Sequence, residues 1–399
     1  MAINFADKGI LGLAATPIMR DLRLTHTQLG AVGLGFFSFF SISSIVFGLF
    51  IRKLSTKWTL LGMVVAWSLC QCLVLVWTSS TGLLVSRVLL GLADGGAYPV
   101  ALYAAYKWFQ DDRRALPTSV IAIGGAVGSG LLAPVLAFLI TQLSWRETFG
   151  ILSAAGLFWC GAWMIFGLEG PGKEVGSSKP QPGAQKIPVY LLLTSRTVLG
   201  AQLSGFCAYW LLTLAVLWLP AYLSERFGFS LHAVANIVVL LTLCQITVAP
   251  AICGLSQHLV RNGVSTRYAR GFVAGLSVMA AGSMTILFPR LSGALFPIGC
   301  LLAAFSVGAV ILVLGQVIVA QVAPPSQRGL VMGVTNAVMT FAGPLASLSM
   351  GFIADRQWGG MRGFDAGFTL VGAMVLVGGF LGILLMNPAL DRHRLGPST

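Results

Sequence analysis

The sequence predicts an all-α membrane protein of twelve helices arranged as two six-helix halves. Three observations carry that prediction. Of the 399 residues, 56% are hydrophobic and 9% charged, against about 25% charged in a soluble domain. Apolar runs of roughly 20 residues recur along the chain, each long enough to cross a bilayer as a helix. None alternates polar with apolar residues, as the strands of a membrane barrel do.

In chain order, helices are expected at 1–19, 29–51, 59–78, 82–108, 117–141 and 148–167, then at 190–223, 231–254, 271–288, 293–322, 329–353 and 365–387. The 48 glycines suit the close approach of such helices in lipid. The first helix is short. Asp7 and Lys8 stand near its start, and its uninterrupted apolar run extends only from Gly9 to Met19, where about 20 residues are needed to span. The mixed charge pair and the lack of a cleavage pattern exclude a signal peptide. The first helix is therefore expected to be truncated, with a true start about 15–25 residues upstream.

The stretch 169–188, EGPGKEVGSSKPQPGAQKIP, is the one clear linker. It separates an N-terminal bundle, 1–168, from a C-terminal bundle, 189–388, followed by a tail, 389–399. Two halves joined this way are the layout of transporters that bind substrate near the bilayer midplane between them. The remaining loops are too short for a soluble catalytic domain.

Net charge is +13, and its placement matters more than its size. Loops on the side of the termini hold 16 Lys and Arg, those on the other side 7, and with Lys8 and Arg87 inside helices this accounts for all 25. That bias places both termini in the cytoplasm of a multi-pass protein of the plasma (inner) membrane. The basic excess orients the chain among lipids and calls for no nucleic-acid partner. The seven cysteines show no disulfide or zinc spacing. No metal site is expected.

Of the 12 acidic residues only Asp7 and Asp94 fall within predicted membrane helices away from their loop-side ends, and of the basic ones only Lys8 and Arg87; the others lie in loops or towards helix ends. Each costs about 2.5–3.5 kcal/mol at a helix centre, and such residues mark functional sites in membranes. The alternative is a pair of salt bridges that only lock helix 1 to helix 4, though buried ion pairs add little net stability. Arg87 and Asp94 are seven residues apart, so they share one helix face about 10 Å from each other. A group from Asp7 or Lys8 fits between them. Four charges summing to zero form a site that an organic anion enters by displacing a carboxylate. Protonating that carboxylate frees the arginine, whose planar fork suits oxyanions. The four histidines, His26, His232, His258 and His393, lie at helix ends or in loops, which argues against an intramembrane relay histidine.

These residues meet a family. Asn4-Phe5-Ala6-Asp7-Lys8 resembles the N-[YF]-x-D-[RK] start of the anion:cation symporters, a branch of the major facilitator superfamily. Arg87-(x)6-Asp94-Gly95-Gly96-(x)2-Pro99 is similar too, with Asp where the branch usually has Glu. Further similarities are Lys107-Trp108-Phe109, Arg113-Arg114-Ala115 with Thr118-Ser119, Trp145-Arg146-x-x-Phe149, Trp218-Leu219-Pro220-Ala221-Tyr222-Leu223, and Asn336 ahead of Gly343-Pro344 and Asp355. The resemblance runs from residue 4 to about 368. It implies a major facilitator fold, a monomer, and uptake of small organic anions such as sugar acids together with protons. It also implies that Asp7 and Asp94 take the protons and that Arg87 engages the substrate carboxylate. Lys8, Asn4, Tyr209, Asn336 and Thr340, the last in place of a second Asn, are the other substrate positions it implies. No cofactor is expected, since the proton gradient drives the cycle.

Departures point to the substrate. In helix 2 Phe40 and Ser44 stand where the branch often has Tyr and Gln, and helix 5 lacks its usual Gln. An unmatched sugar hydroxyl costs about 1–3 kcal/mol, so an aromatic or short aliphatic carboxylate joins sugar acids as a candidate. The helix 2–3 loop lacks its acidic residue and has Arg52 near that place, and Gln257-His258 stand in the helix 8–9 equivalent. An anion exchanger and a non-transporting sensor or remnant are the competing readings. Nothing in the sequence supports an enzyme: there is no phosphate-binding loop, metal-ligand cluster, or nucleophile with a base.

Overall fold

The computed structural model describes residues 1–50, 55–109, 113, 115–170, 187–324, 327–358 and 360–395. Most of the expected linker (171–186), Arg52 and Arg114 lie outside the described residues. The first half comprises α1 (Ala2–Leu13), α2 (Ala15–Leu22), α3 (His26–Phe50), α4 (Thr56–Val76), α5 (Ser80–Asp94), α6 (Ala97–Tyr106), α7 (Ala115–Ala126), α8 (Ala133–Gln142) and α9 (Trp145–Phe166). The second comprises α10 (Val189–Leu193), α11 (Arg196–Leu217), α12 (Leu219–Phe227), α13 (Leu231–Arg261), α14 (Val273–Leu287), α15 (Leu295–Gly308), α16 (Val310–Val322), α17 (Arg328–Thr340), α18 (Ala342–Ala354), α19 (Gly363–Leu385) and α20 (Pro388–Leu395). Several of these abut end to end, and eleven helices among the described residues are long and apolar enough to cross a membrane. This is a multi-pass, all-α membrane protein.

The expected helices divide where the local chemistry requires it. The first breaks at Ala14 into α1 and α2. The seventh breaks at Trp218, because Pro220 suits the first turn of a new helix and has no N–H to continue the old one. The eighth runs past its expected end at residue 254 to Arg261, with Pro250 inside it. Its last turn carries His258 and Arg261, cationic or polar groups that complement the negative helix end. Side-chain caps start the helices that matter most below. Ser79 accepts from the Gly82 N–H at 3.1 Å at the head of α5, and Ser144 accepts from the Glu147 N–H at 3.1 Å at the head of α9.

The chain forms two compact units. One gathers Met1–Lys179 with Val216–Thr242 and Pro344–Asp355; the other gathers Pro180–Ala215, Leu243–Gly343 and Arg356–Thr399. The first has a core of Phe36, Leu60, Met63, Val64, Trp67, Leu90 and Val100, contributed by α3, α4, α5 and α6. Its α5 lies so close to α3 that a Cβ on Gly91 would come within 2.3 Å of the Phe36 carbonyl oxygen, and one on Gly95 within 2.1 Å of that of Phe40. Glycine at these two positions sets how near the Arg87–Asp94 face comes to α3. In the second unit α14 packs on α19, where the Phe288 and Phe368 rings meet edge to face with centroids 5.0 Å apart, and the Ser204 hydroxyl of α11 donates to the Gly378 carbonyl at 2.9 Å.

Candidate functional site

The intramembrane charges meet in the first unit, on α1 and α5. Asn4 and Lys8 are one helical turn apart on α1 and so face the same way. The Lys8 ammonium donates to the Asn4 amide oxygen at 3.0 Å and lies 3.0 Å from the Asp94 carboxylate. The Asn4 amide nitrogen donates to the other Asp94 oxygen. These three side chains tie α1 to the end of α5. Asn4, Asp7, Arg87 and Asp94 are all at most 3% exposed, whereas Lys8 retains 14%. The Lys8 ammonium is also stacked between aromatic rings, 4.2 Å from the Phe5 centroid and 4.6 Å from that of Phe40.

Arg87 meets α1 through the Asp7 main chain. One guanidinium nitrogen donates to the Asp7 main-chain carbonyl at 3.3 Å and another to the Gln71 side-chain oxygen on α4. The Phe149 ring covers it at 4.7 Å. Among the described residues no carboxylate lies within ion-pair distance of Arg87; the one intramembrane pair is Lys8–Asp94. The Arg87 and Asp94 side chains are two helical turns apart, α1 crosses with Lys8 at the Asp94 level, and the Asp7 main-chain carbonyl meets Arg87. Asp7 Oδ1 and Arg87 Nε are buried with no hydrogen-bond partner. A buried orphan of this kind costs about 1–3 kcal/mol, so the cluster holds unused capacity to bind.

The other expected site residues belong to the second unit. Tyr209 lies half-buried on α11, Asn336 is exposed on α17, and Thr340, half-buried, donates to the Ala337 carbonyl at 3.1 Å. Next to Asn336, Thr335 is fully buried and accepts from Gln202 at 3.5 Å. The sequence did not single out Gln71, Gln202 or Thr335. The signal for Gln71 was its polarity at mid-helix, one of few such residues in α4. Nothing in the sequence marked its partner. Among the described residues no group of three or more His, Cys, Asp or Glu is placed to hold a metal ion.

Comparison with known proteins identifies the architecture. The family model of the Major Facilitator Superfamily matches residues 1–310. The chain belongs to that superfamily. Its members are membrane transporters and not enzymes, so this major facilitator is a transporter. Among curated relatives, the hexuronate transporter of Bacillus subtilis is 26% identical over 411 residues, covering 98% of this chain and 93% of its own length. The probable sulfoacetate transporter SauU of Cupriavidus necator is 27% identical over 407 residues, covering 97% and 91%. Among solved structures, an inward-facing, unoccupied bacterial homolog of the human lysosomal transporter Spinster superposes with a TM-score of 0.79 at 14% identity, covering 100% of this chain and 96% of that one. The last likeness bears on fold alone.

Proposed function

We propose that this major facilitator is a proton-coupled symporter of a small organic anion, of the anion:cation symporter branch. The observation that carries the reading is the Lys8–Asp94 pair, in which a partly accessible cation is held by a buried carboxylate at 3.0 Å. An incoming carboxylate or sulfonate competes with Asp94 for the Lys8 ammonium. A proton on Asp94 removes the competitor, so proton and substrate favour each other's binding, and the coupling is reciprocal by thermodynamic necessity. Asp7 is the second proton carrier. Arg87, held beneath by Gln71 and Phe149, keeps the site positive and reaches the anion when Asp7 and the α1 main chain shift.

The relatives support the anion. Hexuronate and sulfoacetate both carry acid groups, and sulfoacetate carries no hydroxyl. The Phe5 and Phe40 rings around Lys8 favour the less hydroxylated end of that range, since apolar walls leave substrate hydroxyls unmatched. Asn4 supplies a further polar contact beside Lys8, and Tyr209, Asn336 and Thr340, which the family resemblance gives as substrate positions, belong to the second unit. The loop charges support an orientation with both termini in the cytoplasm of an inner (plasma) membrane. We assign no cofactor, because the proton gradient supplies the energy, and the family resemblance implies a monomer.

Asp94→Asn mimics the protonated state permanently. In proteoliposomes given an imposed pH step, this variant is expected to exchange substrate in counterflow but not to concentrate it. Asp7→Asn is expected to show the same loss in weaker form. If Asp94→Asn concentrates substrate as the unaltered protein does, Asp94 is not the coupling group; if the unaltered protein itself does not concentrate substrate under the pH step, the exchanger reading takes its place.

A further inference from the structure

A second set of ionisable groups lies within the first unit, far along the chain from the Lys8–Asp94 pair and unused by the transport reading. His26 begins α3. Its ring meets two carboxylates at once: Nδ1 is 2.8 Å from Asp355 Oδ1, and Nε2 is 2.9 Å from Glu225 Oε1. Asp355 directly follows α18, and Glu225 is in the last turns of α12. Asp355 also accepts from the His26 and Thr27 main-chain N–H groups at 2.9 and 2.8 Å and from the Thr27 hydroxyl at 2.5 Å. These are the free N–H groups at the positive end of α3.

The chemistry of the ring follows from its partners. An ionised carboxylate only accepts hydrogen bonds, and a neutral imidazole donates from only one nitrogen. Two simultaneous bonds to ionised carboxylates therefore require both ring nitrogens to carry protons. Asp355 is ionised throughout the relevant range: burial opposes its charge, but the bonds from Thr27 and His26 outweigh that and hold its carboxyl down to about 2. The elements packed around the ring carry further charges, Arg226 beside Glu225, Arg356 beside Asp355, and Arg20, Asp21 and Arg23 at the end of α2. Glu225 and Asp355 both meet the ring within hydrogen-bond distance. With side-chain exposures of 22%, 39% and 25% for His26, Glu225 and Asp355, the cluster is open to bulk protons. The backbones also meet tightly: a Cβ on Gly351 of α18 would lie 2.4 Å from the His26 carbonyl oxygen.

We propose that His26 is a proton-operated latch, whose doubly protonated ring ties the ends of α12 and α18 to the head of α3. When the ring loses a proton it keeps one carboxylate and turns a lone pair towards the other. Asp355 remains anchored by the helix-end N–H groups, so the Glu225 tie is the one given up. Protonation and the latched arrangement stabilise each other, and the latch strengthens as pH falls. By the loop-charge orientation this end faces outside, so an acidic exterior would hold it shut until the cycle opens it.

The test needs no substrate and no orientation, and so it stands or falls separately from the symport reading. In a cysteine-free background, Ser347→Cys puts a single thiol at a fully buried position of α18. Its maleimide labelling rate in detergent reports how often that segment leaves its place. Comparing His26→Gln with His26 at each pH cancels the thiol's own titration. At about pH 5.5 the His26→Gln protein is expected to label about tenfold faster, and by about pH 8.5 the two rates converge, because histidine titrates between these values. Glu225→Gln is expected to behave as His26→Gln does, and it carries the test alone if His26→Gln is not monodisperse. Equal rates at about pH 5.5, both proteins unreactive included, would overturn the proposal. So would a tenfold gap unchanged at about pH 8.5, which would make the contact a fixed strut.

Discussion

Two carboxylates in the first unit, Glu169 and Asp94, are each tied to a lysine, and they could hardly be supported more differently. Glu169 follows α9 and caps the head of α4. It accepts from the Ser55 hydroxyl at 2.6 Å, the Thr56 hydroxyl at 2.7 Å, and the Thr56 and Lys57 N–H groups at 3.2 and 2.8 Å, as well as from Lys107. Asp94 has one hydrogen-bond donor, Asn4, and one ion-pair partner, Lys8, and both come from the same short helix α1. Glu169 is 35% exposed and Asp94 3%. A carboxylate with five donors and a helix end is committed to its charge. A buried one held by a single helix depends on that helix staying in place. The first arrangement suits a fixed strut and the second a group that exchanges partners.

Substitutions should separate the two. The largest effect is expected from Lys8→Met, which leaves Asp94 buried with no cation and so costs about 3–5 kcal/mol. Adding Asp94→Asn to it should recover most of that loss in a thermal or denaturant unfolding measurement, because the stranded charge is gone. If the double variant is no more stable than Lys8→Met, the pair does not act as a unit. Gly95→Ala comes next. Its Cβ would sit 2.1 Å from the Phe40 carbonyl oxygen, so α5 must move off α3, at about 1–3 kcal/mol. Because Asp94 is the neighbouring residue, substrate affinity should fall along with stability.

Glu169→Gln should cost less, about 1 kcal/mol, the usual size of a lost helix cap. Its pH dependence has a definite sign. Burial opposes the charge of Glu169, but the bonds from Lys107, Ser55, Lys57 and Thr56 prevail and hold its carboxyl well below the usual carboxylate range. A carboxyl lowered in the folded state contributes stability that is present above the unfolded value of about 4.3 and lost as pH falls through the folded value. The stability gap between the unaltered protein and the Glu169→Gln variant should therefore be flat above about pH 5 and shrink on acidification. Ser79→Ala, at the head of α5 and in contact with neither carboxylate, sets the lower bound. It should cost about 0.5–1 kcal/mol in unfolding and leave substrate affinity unchanged.

Much of this molecule was legible in the sequence because insertion into lipid is decided locally. Each span is recognised by its own twenty or so residues, and the helices came out close to their expected places. For the same reason Asp7, Lys8, Arg87 and Asp94 stood out at once, as charges that carry a solvation cost wherever they end up. The break at Pro220 was equally local in cause, and it was missed only because the apolar run continues through it.

Pairing is another matter, since it depends on which helix crosses which and at what depth. The seven-residue spacing placed Arg87 and Asp94 on one face. Only the packed structure sets Lys8 at the Asp94 level and leaves Arg87 to Gln71 and the Asp7 main chain. His26 reads in sequence as a loop-side residue of no consequence. It gains two carboxylates only when chain segments 199 and 329 residues away arrive beside it. Solvation energy belongs to a residue and is written in the sequence, whereas partnership belongs to a contact, and contacts exist only once the helices have packed.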